Sequence, residues 1–100
     1  SSPETVKKLG AMASSDKDAD ARSSALIALS KVGANDEFAK VVKGILAGGD
    51  ADLKIETLMI MGESASKESV TAVKAELEAI AGGSDKGLAA EAKIALEMIK

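Results

Sequence analysis

The residues best suited to chemistry in this chain are acidic. In SSDKDADAR, residues 14–22, Asp16, Asp18 and Asp20 stand at alternate positions, which is how a calcium-binding loop opens. Such a loop needs glycine at its sixth position and a bidentate glutamate at its twelfth. Those positions hold Ala21 and Ile27. The triplet therefore reads as a helix start, in which Asp18 accepts from free N–H groups and complements the helix dipole. Asp50 and Asp85 stand before helices in the same way. GGSDKG, residues 82–87, is glycine-rich ahead of a helix. A phosphate-cradling P-loop needs a preceding strand and a Gly-Lys-Ser/Thr order, so this segment reads as a helix-ending loop. Glu76 and Glu78 are two apart and point to different sides of a helix. Glu56 and Glu63 share a face, but charged neighbours make it a solvated one.

Elimination goes further. The chain has no His and no Cys, so Ser-His-Asp and Cys-His arrangements, ordinary zinc sites and thiolate nucleophiles are excluded. The expectation is a non-enzyme with no catalytic, cofactor-binding or metal-binding residues. A net charge of −3, a single Arg and no aromatic platform argue against a nucleic-acid partner. The longest run of large apolar residues is Leu58-Met59-Ile60-Met61, too short for a bilayer. No signal peptide is seen, so a natural form of the chain is expected in the cytoplasm.

With 100 residues, 46% of them apolar and 29% charged, the composition is that of one globular domain. Strand signals are absent. Six helices are expected at about 3–13, 18–32, 36–47, 51–63, 67–81 and 86–99. Ser2, Asp18, Asn35, Asp50, Ser66 and Asp85 are their cap residues. Gly33, Gly48-Gly49 and Gly82-Gly83 supply left-handed residues at helix ends. Short loops make consecutive helices antiparallel hairpins. Gly10 and Gly44 fall inside helices, where each costs about 1 kcal/mol relative to Ala. Close backbone approach, a kink or a natural ancestor would each account for them.

A shift of 32 residues superposes the pattern on itself. Val6, Leu9 and Ala13 fall on Phe38, Val41 and Ile45, and then on Val70, Val73 and Leu77. Ala25, Ala28 and Leu29 fall on Thr57, Ile60 and Met61. After three extra residues near Gly82-Gly83, they fall on Ala92, Ala95 and Leu96. The chain thus reads as three helical hairpins, about 2–33, 34–65 and 66–100.

DADARSSALIALSKVGANDEF, residues 18–38, resembles the HEAT-like repeat. The residues that carry the likeness are Asp18, Arg22, Ala28-Leu29 and Gly33. The second copy offers Asp50, Lys54, Ile60-Met61 and Gly62, and the third Asp85 and Ala95-Leu96. The third has Ala89 in place of the base, and no copy has the Pro that usually follows the Asp. The resemblance implies a protein-binding α-solenoid without catalytic residues. There is also a likeness to engineered, de novo designed helical proteins. It lies in the narrow alphabet, with no Trp, Tyr or Gln, and in the opening Ser-Ser-Pro-Glu.

The second helices carry one unusual feature. If Ala21, Ala25, Ala28, Leu29 and Val32 face the core, Ile27 lies nearly opposite, at about 100° per residue. Its repeat equivalents are Met59 and Ile94, and Ile55 sits one turn before Met59. Three arrangements would account for this row. The helices could close into a globule with the second helices inside. Ile27, Ile55, Met59 and Ile94 could form an exposed strip for a protein partner or a second copy. A closed ring could keep a cavity for a small apolar ligand. The four Met residues are expected to fill gaps.

Overall fold

The computed structural model describes residues 2–100. Among them are seven helices and no strand: α1 Pro3–Ser15, α2 Ala19–Lys31, α3 Asn35–Ala47, α4 Ala51–Glu63, α5 Lys67–Thr71, α6 Lys74–Ala81 and α7 Lys86–Glu97. The all-α class is as the sequence predicts, but the expected six helices become seven because 67–81 is broken. The break lies at Ala72 and Val73, where the Val73 N–H bonds the Val70 carbonyl at 3.0 Å, three residues back. Val73 sits at φ −120°, ψ 21°. Just before it, the Thr71 hydroxyl donates to the Lys67 carbonyl at 2.7 Å, a back-bond that bends helices. The break keeps Val70, Val73 and Leu77 all fully buried.

Five of the six expected caps form. The side chains of Ser2, Asp18, Asp50, Ser66 and Asp85 accept from the N–H groups of Thr5, Asp20, Leu53, Ser69 and Leu88. Asn35 does not cap: it is the first residue of α3, behind Ala34, which makes no side-chain cap bond. Of the expected left-handed glycines only Gly33 has a positive φ, 75°. There the Ala34 N–H reaches Leu29 O at 3.0 Å and the Gly33 N–H reaches Ser30 O at 3.1 Å, which is the Schellman ending. Gly48, at φ −80°, and Gly82, at φ −93°, end their helices in ordinary conformations.

Both ends of α3 lie 32 residues beyond those of α1, and both ends of α4 lie 32 beyond those of α2. One layer runs α1, α3, α5, each packed on the next; the other runs α2, α4, α7, likewise. The extents, 38 × 29 × 18 Å, agree: 18 Å is about the depth of two helices, each roughly 10 Å across. Phe38, Leu29, Leu58, Met61 and Leu77 are fully buried between the layers. Each contributes about 1.5–3 kcal/mol by leaving water.

The buried face of α2 is turned from the one expected. Ala25, Leu26, Leu29 and Ser30 are buried, whereas Ala28 is half-buried and Val32 is exposed. The Schellman turn carries Val32 out of the helix as its C-cap. Of the four Met residues only Met61 fills the core; Met12, Met59 and Met98 are exposed.

Candidate functional site

The acidic triplet is occupied by backbone. Asp16 Oδ1 accepts from the Asp18 N–H and Asp18 Oδ1 from the Asp20 N–H, both at 2.9 Å. Among the described residues no three acidic side chains gather where an ion could be held. Arg22, four residues after Asp18, reaches back across the same turn. Its Nη1 donates to the Asp16 carbonyl at 2.8 Å, and its Nε lies 3.7 Å from Glu56 Oε1 on α4. The single Arg thus closes the end of α1 by a hydrogen bond and pairs by charge with Glu56 of α4, its buried Nε making no hydrogen bond.

The expected strip divides in two. Ile27 is half-buried and packs against the core, and Ile55 is half-buried. The rotation of α2 toward Leu26 and Ser30 brings Ile27 partly under cover. Met59 and Ile94 remain 43% and 52% exposed. Met98, one turn after Ile94, joins them at 39%; sequence reasoning left it out of the strip and expected it, like the other Met residues, to fill a gap. α4 packs closely on α7. Gly62 explains how: a Cβ there would stand 3.1 Å from Ile94 Cγ2. The exposed apolar residues therefore flank one seam between two helices.

A second concavity lies elsewhere. A groove of about 640 Å³ runs between α1 and α3 and reaches the start of α4. Gly10, Ala11 and Ser14 form one wall and Gly44 part of the other, with Val41, Ile45 and Leu53 below. Lys7, Lys40, Glu37 and Asp50 border it. The groove arises from side-chain size: one copy later, positions 10, 11 and 14 correspond to Val42, Lys43 and Leu46. The glycine is also functional packing, since the Glu37 carboxylate lies where a Gly10 Cβ would be. Gly44 has open space around it. This groove opens on charged rims at the first-helix layer, unlike the apolar cavity inside a closed ring that was one of the three arrangements accounting for the apolar row.

A polar ladder escaped sequence reasoning altogether. The Ser66 N–H donates to Ser30 Oγ at 2.8 Å, and the Ser66 hydroxyl meets Ser69 Oγ at 3.0 Å. The Ser69 hydroxyl in turn donates to Asn35 Oδ1 at 2.8 Å. Ser30 and Ser69 are buried. The ladder joins the end of α2, the start of α3 and the start of α5. The partners are more than thirty residues apart, and serine is common at caps, so spacing alone gives no signal. Asn35, expected to cap its own helix, instead anchors the next one.

No helix is long and apolar enough to cross a membrane among the described residues. Compared with family models, curated proteins and solved structures, the chain matches none.

Proposed function

We propose that this chain is a non-catalytic protein-interaction scaffold: three HEAT-like hairpins, of engineered origin, that present the outer face of α4 and α7 to a partner. The observation that carries this reading is the half-exposed pair Met59 and Ile94 at one repeat position, with Met98 beside them. Large apolar side chains grouped on a monomer surface mark interfaces more often than chance exposure does. The coincident helix boundaries, 32 residues apart in the first two copies, support the repeat reading. The restricted alphabet supports an engineered origin. A natural adaptor of the same architecture would use the same face.

The test is a selection of binders from a random helical peptide library, run in parallel on the protein and on Met59→Lys. Binders enriched on the parent and lost on the variant, with unchanged circular dichroism, support the reading. Enrichment that ignores the substitution, or no enrichment, sinks it.

A further inference from the structure

We propose that the seam between α4 and α7 docks a basic amphipathic helix. The proposal rests on the interaction reading above and adds the chemistry of the partner. The apolar part of the site is Met59, Ile94 and Met98, with Gly62 letting the Ile94 side chain lie close against α4.

Charge then selects the partner. Asp52, Met59 and Glu63 are all exposed, and seven- and four-residue steps keep them on one line of α4. Both ends of that line are carboxylates. Lys54, the one lysine of α4, is half-buried and lies about 140° round the helix from Met59. On α7, Gly62 faces Ile94 and the Ala95 N–H. Lys93, on the other side of Ile94, is therefore turned from the seam. Glu97 already holds Lys100, at 2.8 Å.

Asp52 and Glu63 are eleven residues apart, about 16 Å along the axis at 1.5 Å per residue. A partner helix with an apolar stripe and Lys or Arg three turns apart on its flank matches both the span and the sign. A second copy does not, because this face against itself sets Asp52 and Glu63 against carboxylates. The exposed apolar area is on the order of a few hundred Å², short of the roughly 800 Å² per partner of a globular interface and suited to one helix laid in a groove.

The experiment uses two labelled peptides of roughly 18 residues, long enough to cover the span. They share one leucine stripe; the first has Lys on its flanks and the second Glu. Binding to the full chain is read by fluorescence anisotropy at low and high salt. The lysine peptide should bind, weaken with salt, and exceed the glutamate peptide by roughly tenfold. The double variant Asp52→Lys/Glu63→Lys, confined to exposed positions, should reverse that preference without changing the thermal melt. Equal binding of both peptides, lost on Met59→Lys, overturns the charge rule and leaves the interaction face standing. No binding of either peptide overturns the docking proposal, and the library selection then decides the broader reading separately. A dimer that forms first and is broken by Met59→Lys assigns the face to a second copy and overturns it too.

Discussion

Ser69→Ala tests whether the polar ladder holds α2, α3 and α5 in register. Ser69 is fully buried, and its hydroxyl makes two bonds, 2.8 Å to Asn35 Oδ1 and 3.0 Å to Ser66 Oγ. At about 1 kcal/mol net per bond, the substitution should cost about 2 kcal/mol. For a chain of this length that is a fall in melting temperature of roughly 8–16 °C. Chemical denaturation monitored by circular dichroism gives the free energy, and calorimetry the temperature. Part of the loss comes from the Asn35 carbonyl left without its donor, so Asn35→Ala in the same chain should recover some of it. A double-mutant cycle should return a coupling of about 1 kcal/mol between the two positions. The reasoning fails if Ser69→Ala costs less than about 0.5 kcal/mol, or if the two substitutions are additive. Either result would mean that water satisfies these groups and the ladder does not set the register.

Two glycines should respond in opposite directions. Gly44→Ala enters open space within α3 and should raise stability by about 1 kcal/mol, whereas Gly33→Ala puts a side chain at φ 75° and should lower it by about 1–2 kcal/mol; parallel thermal melts would show both. Arg22→Lys keeps the charge but cannot reach the Asp16 carbonyl and Glu56 with one planar group. It should cost about 1–3 kcal/mol, and a melt within error of the parent would show that the bridge is idle.

Sequence patterning reached the all-α class, most of the helix bounds and most of the caps, because each is written locally. Asp18, Asp50 and Asp85 could be assigned from position alone, and all three cap the helix that follows. What escaped was set between distant segments. The break at Val73 comes just after the Thr71 back-bond to the Lys67 carbonyl and leaves Val70, Val73 and Leu77 all buried. A helical pattern accommodates those spacings equally well unbroken, so the bend is invisible until α3 is in place. The facing of α2 was misjudged because Ala and Ser say little about which side is inside. Ser30, buried beneath Ser66, was not on the expected core face. The candidate strip was legible as a row. Its covering at Ile27 and exposure at Met59 and Ile94 depend on neighbours that periodicity does not name.

The place of α3 has a consequence for how the molecule opens. The pair α1–α2 is closely packed, as is the group α4, α6 and α7, and the main packing between the two is that of α2 on α4. The bond from the Ser66 N–H to Ser30 Oγ adds a second link, and α3, which packs on α1, α2, α4 and α5 and holds Phe38 fully buried, joins the two sides. Local opening should therefore divide the chain into two cooperative units. Native-state hydrogen exchange would find two levels of amide protection, one for residues 3–31 and one for residues 51–97. The amides of α3 would follow whichever unit opens last, so that Phe38 and Val42 report the stability of the whole while the two flanks report their own.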